Sequence, residues 1–220
     1  MNVDYLTDVY FTYDEDFPIF LVKNFIVVDS DYKEKLKNII LDNMNNHYNI
    51  KNLKGYNFAL SKDYNDFYLN TYYKFYDLCD KIFGRLNPTE DCIGCHAYIT
   101  DSSGFGIEKI HNHLETSTIS ACYYFNIPKD SILDEGSISF ISWNQKKELL
   151  YRPSTFDLII FPNYLDHKIN YSPHEEKRIT ITMEIQCEED SNELFNIPFE
   201  ENLEEKNAKS LFKYYKKILF

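Results

Sequence analysis

The sequence lacks any apolar run approaching the roughly 18 residues that a membrane-crossing helix needs, which excludes a helical membrane span. Its opening stretch, MNVDYLTDVYFTYDEDF, is acidic and has no apolar segment of the kind a secretory signal carries. Positive charge is scarce, with 23 Lys and Arg against 35 Asp and Glu, a formal net charge of −12. A surface of that sign repels phosphate backbones, so nucleic acid is not an expected partner. Cysteine occurs in an odd number, five, which with no export signal reads as reduced thiols in a cytoplasmic chain rather than a disulfide framework. Internal repeats and low-complexity tracts are absent.

What is present is a chain of 220 residues, 44% apolar, enough for one domain with a real core and any extensions. The 19 Tyr and 17 Phe favour strands over a helical bundle. PIFLVKNFIVV (18–28) reads as a strand leading into a helix over about 31–44, capped by Asp29 or Ser30, with Leu36, Ile39, Ile40 and Met44 on its apolar face. A second helix is expected over about 64–83, where Tyr68, Tyr72, Phe75, Tyr76, Cys79, Ile82 and Phe83 recur at helical spacing and Gly84 can end it. We read that aromatic stripe as core packing.

From residue 92 the texture changes to eight short alternating runs: CIGCHAYIT, FGIEKIHNH, STISACYYFN, GSISFISW, KKELLY, FDLIIF, YLDHKINY and KRITITMEIQ. Strands in that number, preceded by helices, predict an α+β domain whose sheet folds into a sandwich or barrel. The expected organisation is an N-terminal strand and helical support region over 1–91, a β core over 92–187, and a tail over 188–220. Residues 188–205 hold eight acidic residues and no basic one, and read as a linker. KNAKSLFKYYKKILF, which follows, reads as a basic amphipathic helix over 206–219. Its apolar face is expected against its own domain or a second subunit rather than a membrane, which leaves a homodimer open.

Residues i and i+2 of a strand share a face. In the last run Ile179, Ile181, Met183 and Ile185 oppose Arg178, Thr180, Thr182 and Glu184. In the third, Ile119, Ala121, Tyr123 and Phe125 oppose Thr118, Ser120, Cys122 and Tyr124. In the first, Ala97 and Ile99 oppose His96, Tyr98 and Thr100; in the second, His111 and His113 share a face with Lys109. The apolar sides need a helical layer or a second sheet. The other sides carry tyrosine, histidine and a lone arginine rather than a Lys/Glu mixture, which points to a polar pocket. Two imidazoles one residue apart can reach a single cation of transition-metal type, and His167 in LIIFPNYLDHKI offers a third ligand. CIGCH (92–96) spells a haem-attachment pattern, but that chemistry needs an exported chain, so its cysteines read as strand filling.

In their order and approximate spacing, HAY, HNH, ACYYFN, LIIFPNYLDHKI and KRITIT resemble the 2-oxoglutarate- and Fe(II)-dependent oxygenases with a double-stranded β-helix (jelly-roll, cupin-like) core. The nearest resemblance is to small oxygenases of marine phages and bacteria with H-x-H, S-G-x-Y-Y, F-P-x-x-x-x-H and R-x-S/T, and the cytosolic prolyl hydroxylases share the Tyr-Tyr strand. The resemblance implies Fe(II) and 2-oxoglutarate as cofactors, with helices packed on one sheet. It makes His111, His113 and His167 metal ligands, and Arg178, Tyr124 and Thr180 partners of the distal carboxylate of 2-oxoglutarate. Tyr98 and Ser120, the latter opening the S-x-x-Y-Y motif, fall in the cosubstrate pocket. The implied activity is hydroxylation of a small molecule or a peptide side chain with release of succinate and CO2.

The chain departs from the pattern at His113, where most of the superfamily has Asp or Glu. His113-Leu114-Glu115 offers a second parse, disfavoured because Glu115 would lie in a turn. Ala121 replaces the motif glycine, and STFD stands where the family favours glycine before the LIIFP strand. Two other readings remain: a three-histidine cupin-type dioxygenase without 2-oxoglutarate, and a non-enzymatic jelly-roll binding module.

Overall fold

The computed structural model describes residues 8–12, 16–46, 62–84, 86–89, 94–100, 109–129, 135–144, 146–171, 174–196 and 215–218. Asp29 opens the first helix, α1 (Ser30–Asn46), accepting the Tyr32 N–H on its carboxylate at 2.8 Å and the Lys33 N–H on its carbonyl at 2.9 Å. This is the N-cap arrangement that satisfies orphan amides of the first turn. The second helix, α2 (Lys62–Phe83), ends at Gly84, whose φ of +83° suits a residue without Cβ.

Ten strands are described: β1 (Asp8–Thr12), β2 (Phe20–Lys23), β3 (Gly94–Thr100), β4 (Ile119–Asn126), β5 (Ile138–Ile141), β6 (Glu148–Tyr151), β7 (Leu158–Pro162), β8 (Asp166–Ile169), β9 (Arg178–Ile185) and β10 (Tyr215–Ile218). They form a seven-stranded sheet in the order β10-β1-β2-β7-β4-β9-β3 and a three-stranded sheet in the order β6-β5-β8. Every named strand pair is antiparallel. β1 and β2 extend the same sheet as the core strands.

Alternation along the strands sorts side chains into two cores. Ile119, Ala121, Tyr123 and Phe125 of β4 join Ile179, Ile181, Met183 and Ile185 of β9, packing against Leu36 and Ile40 of α1 and Phe67, Tyr72, Phe75 and Cys79 of α2. On the opposite face Cys122, Tyr124, Ile159 and Phe161 meet Ile138, Phe140 and Tyr151 of the small sheet. The order is helices, large sheet, small sheet. Fully burying each large side chain stabilises by about 1.5–3 kcal/mol, which secures the register. Among the described residues no helix is long and apolar enough to cross a membrane.

Two expectations are corrected. FGIEKIHNH does not form a strand in its described part, 109–113: His111 makes one isolated bridge to His167. Ile110 is exposed, so the segment has no apolar face to bury on a sheet, and a turn follows in which Thr116 and Ser117 donate to the His113 carbonyl. The expected tail helix is also not seen where the tail is described. Tyr215–Ile218 is β10, paired with β1 from Val9↔Ile218 to Thr12↔Tyr215, and residues 206–214 and 219 lie outside the described residues. A sheet edge offers unpaired backbone groups along its length, and here that partner outweighs local amphipathic helix propensity.

The acidic stretch expected as a linker contains a short helix, α3 (Ser191–Phe195), capped by Asp190, which accepts the Asn192 N–H at 2.7 Å. Phe195 packs against Phe83 of α2 and Phe20 of β2, with ring centroids at 4.8 and 6.0 Å. Phe195→Ala is expected to destabilise the protein by roughly 3–5 kcal/mol, read as a lower urea midpoint; an unchanged midpoint would show that α3 does not tie sheet to helix.

Candidate metal centre

β7 ends at Pro162, and a turn closed by the Leu165 N–H on the Pro162 carbonyl (3.2 Å) sends the chain into β8 on the other sheet. His167 thereby lands opposite Phe140 of β5, with 3% of its surface exposed. The segment carrying the other two histidines lies along β8. His111 and His167 exchange backbone hydrogen bonds at 3.0 and 2.9 Å, and the His113 N–H donates to the Asn163 carbonyl at 2.8 Å. Three short contacts do what a strand was expected to do: they aim both half-buried imidazoles inward while Asn112 and Leu114 point out.

The three rings converge. Their centroids lie 4.2 Å (111–167), 5.1 Å (113–167) and 5.3 Å (111–113) apart, and one nitrogen from each falls within 4.8 Å of the others, a grouping that could hold a metal ion. His113 Nε2 is 3.3 Å from His167 Nε2. Each Nδ1 is engaged from behind: His111 with the Lys109 carbonyl at 2.9 Å, His167 with the Leu165 carbonyl at 3.0 Å, and His113 with Glu184 Oε1 at 2.8 Å. An Nδ1–H held by an oxygen leaves Nε2 as the lone-pair nitrogen, the tautomer a metal needs. Burial, and next the positive charge His111 can carry, pushes the His167 pKa down to about 3, so its imidazole is neutral at physiological pH.

The rings border a cavity between the sheets of about 530 Å³, counting its open mouth. Ser120, Cys122, Thr180, Thr182 and Glu184 line it from the large sheet, and Ile138, His167 and Ile169 from the small one. Arg178 is buried on the same face of β9 as Thr180 and Glu184, 1% exposed, with its guanidinium carbon 5.1 Å from the Tyr124 ring centroid. Among the described residues, four polar atoms there make no hydrogen bond of regular geometry: Arg178 Nε and Nη1, Tyr124 Oη and Thr180 Oγ1, although the guanidinium and the Tyr124 hydroxyl lie close enough to act on each other. Burial raises the Tyr124 pKa well above its ordinary value, so the hydroxyl keeps its proton and can donate. An unpaired buried guanidinium is costly, and this arrangement fits an anion accepting from all three side chains.

The structure therefore brings His111, His113 and His167 together at one part of this region and Arg178, Tyr124 and Thr180 at another. Ser120 lines the cavity, with its Oγ 2.8 Å from Ser117 Oγ. Tyr98 is the register partner of Thr180, and its side chain lies outside the described residues. Lys109, expected beside the histidines, is exposed and contributes its carbonyl instead. Glu115 is exposed in the turn and outside the histidine group.

Two features escaped the sequence reading. Glu184 is one: alternation puts it on the face of Arg178, Thr180 and Thr182, and that shared face is the signal that it belongs to the pocket. The second is a buried knot behind Tyr124. Asp157 Oδ2 accepts from Lys23 Nζ (2.6 Å), Tyr151 Oη (2.5 Å) and the Ser154 N–H (2.8 Å), and the Asp157 carbonyl accepts the Tyr124 N–H at 2.8 Å.

Residues 98–184 match a family model described as "Putative 2OG-Fe(II) oxygenase". No curated protein matches the sequence. Among solved structures, the chain is similar to a prolyl-4-hydroxylase of Pseudomonas putida at 12% identity and TM-score 0.53, covering 76% of this chain and 86% of that one. A prolyl hydroxylase of Trichoplax adhaerens, solved with a peptide fragment of the hypoxia inducible factor oxygen degradation domain, is similar at 15% identity and TM-score 0.55, covering 80% and 84%. A prolyl 4-hydroxylase of Phytophthora capsici is similar at 9% identity and TM-score 0.57, covering 79% and 60%. At these identities the structures speak for the shared jelly-roll fold, while the matched segment, which contains all three histidines and Arg178, speaks for the family. On that segment, residues 98–184, the chain is similar to the 2-oxoglutarate- and Fe(II)-dependent oxygenases, enzymes whose cofactors are Fe(II) and 2-oxoglutarate, and the three histidines within it form a group that could hold a metal ion.

Proposed function

We propose that this oxygenase hydroxylates a peptide side chain or a small molecule, with His111, His113 and His167 holding Fe(II) and Arg178, Tyr124 and Thr180 holding the distal carboxylate of 2-oxoglutarate. The observation that carries this reading is the set of four unpartnered buried atoms on those last three side chains, in a region whose other polar cluster is three convergent imidazoles. The residues fit both groups: neutral imidazoles suit a borderline divalent metal, and a guanidinium fork suits a carboxylate. Bound together, the metal and 2-oxoglutarate supply the oxidising chemistry: with O2, 2-oxoglutarate goes to succinate and CO2, and one oxygen atom enters a substrate C–H bond.

The chain's own residues bind, orient and shield. The Nδ1 hydrogen bonds fix the three rings before any metal arrives, so little reorganisation is needed on loading. Phe161, Ile138 and Ile169 make the wall beside the histidines apolar and limit water there. Tyr124 and Thr180 orient the dicarboxylate through hydroxyl hydrogens, and Arg178 neutralises its far end. Ser120 completes the pocket wall, and the family resemblance assigns Tyr98 to the same pocket. The net charge of −12 favours a neutral small molecule or a basic peptide as primary substrate. Ile110 and Leu114, exposed beside the histidines, offer it an apolar rim. A three-histidine dioxygenase without 2-oxoglutarate, or a non-enzymatic barrel, leaves the buried guanidinium without a purpose.

Anaerobic addition of Fe(II) and then 2-oxoglutarate should produce a visible metal-to-ligand charge-transfer band. His111→Ala and His167→Ala should each lose stoichiometric iron with the fold retained by circular dichroism; full iron loading in both would refute the ligand assignment. In calorimetric titration of the Fe(II) protein, Arg178→Ala should weaken 2-oxoglutarate about 100-fold or more while sparing iron, and Arg178→Lys should recover part of the loss. Equal affinities in wild type and Arg178→Ala, or no wild-type binding, would refute 2-oxoglutarate as the cosubstrate held there. Metal-free Arg178→Met should melt no lower than wild type, because it removes an unpaired buried cation; a large drop would mean that the guanidinium is paired within the fold.

A further inference from the structure

We propose that Glu184 is a positioning residue that restores, behind His113, the negative charge that a ligand carboxylate would otherwise bring to the metal. The inference rests on the Fe(II) reading of the three-histidine group. His113 occupies the slot where the resembled superfamily mostly carries Asp or Glu, so three neutral imidazoles would leave a divalent cation with its full charge. Among the described residues, the Nδ1 atoms of His111 and His167 meet backbone carbonyls, and the one on His113 meets a carboxylate, at 2.8 Å. The position at which the ligand charge is missing is thus the position backed by a charge.

The geometry makes Glu184 a supporting group and not a fourth ligand. Its Oε1 meets Nδ1, whereas the Nε2 of the same ring faces His167 Nε2 at 3.3 Å, so the imidazole stands between the carboxylate and the place where the lone pairs converge. A carboxylate accepting the Nδ1–H makes Nε2 more electron-rich and fixes the ring plane. The pairing is set by β9: Glu184 is the register partner of Ser120 and lies on the cavity face. The Glu184 side chain is 18% exposed, so its loss can also affect folding, and a loss of metal affinity confined to the three-histidine background is what marks this role.

The test measures metal affinity, not turnover. Full-length wild type, Glu184→Gln and Glu184→Ala, each also in a His113→Asp background, are titrated with Co(II) against a chromophoric chelator. Glu184→Ala should weaken Co(II) binding about 10–100-fold. Glu184→Gln, which keeps an acceptor and loses the charge, should fall between the two. In the His113→Asp background the ligand itself carries the charge, so Glu184→Ala should leave affinity within about twofold or strengthen it by removing a like charge. Wild-type affinity in Glu184→Gln and Glu184→Ala would overturn the inference, as would the same loss in both backgrounds, which marks a structural role. If Glu184→Ala fails to fold, the Glu184→Gln comparison in both backgrounds decides alone. Wild-type protein that binds no Co(II) at the histidines would instead overturn the metal centre itself.

Discussion

Everything in the molecule depends on the antiparallel pairing of β4 with β9 in the large sheet. Ile119↔Ile185, Ala121↔Met183 and Tyr123↔Ile181 put an apolar surface against the helices. The same period of two puts Ser120, Cys122 and Tyr124 beside Glu184, Thr182 and Thr180 on the other surface, facing the small sheet. A shift of one residue would exchange the two sets, bringing Arg178 and Glu184 into the helical core and four aliphatic side chains into the cavity. Core stability and site construction are therefore one constraint.

That coupling explains what could be read from the sequence. Strands built on alternation kept their faces: Ile179, Ile181, Met183 and Ile185 point one way, and Arg178 is buried on the other. Motifs carried by such strands, Tyr124 and Thr180 among them, came with their surroundings. What lay outside alternation was harder. His111 and His113 point inward through three backbone contacts to β8 and its preceding turn, and no local pattern in FGIEKIHNH announces a partner more than 50 residues away. The tail was misread for a related reason. Amphipathic helical spacing in KYYKKIL is genuine, but β1 leaves an edge that the sequence of 206–220 does not reveal, and Tyr215–Ile218 fill it. The resemblance to the oxygenases could supply positions, not the groups that stand behind them.

The backbone near Tyr124 shows how a departure from a family pattern is absorbed. Phe156, in the STFD that stands where glycine is favoured, has φ of +75°, a conformation that usually costs a non-glycine residue about 1–3 kcal/mol. Its N–H donates to the Tyr124 carbonyl at 2.7 Å, and its carbonyl accepts the Phe25 N–H at 2.9 Å. The next residue, Asp157, gathers Lys23, Tyr151 and Ser154 on one carboxylate oxygen. The glycine-like bend survives without glycine because both sides of it are tied down. Those ties hold Tyr124 from behind, beside a register shift of the β4–β9 ladder between Tyr124 and Asn126.

Seen along β9, the site has a polarity of its own. Arg178 begins the strand as a buried cation without a counter-ion among the described residues, and Glu184, six residues on, sits against the histidine cluster as an anion. On an extended strand that separation is about 20 Å, too far for the two to neutralise each other, so each needs its own partner. For Glu184 the partner is His113, already present in the chain. For Arg178 the described residues supply Tyr124, whose ring face it meets, and no carboxylate, and its Nε and Nη1 remain unmatched. In the proposed reading a dicarboxylate would satisfy that end and a cation held by imidazoles the other, so that the two ligands together would complete the charge balance of a single strand face.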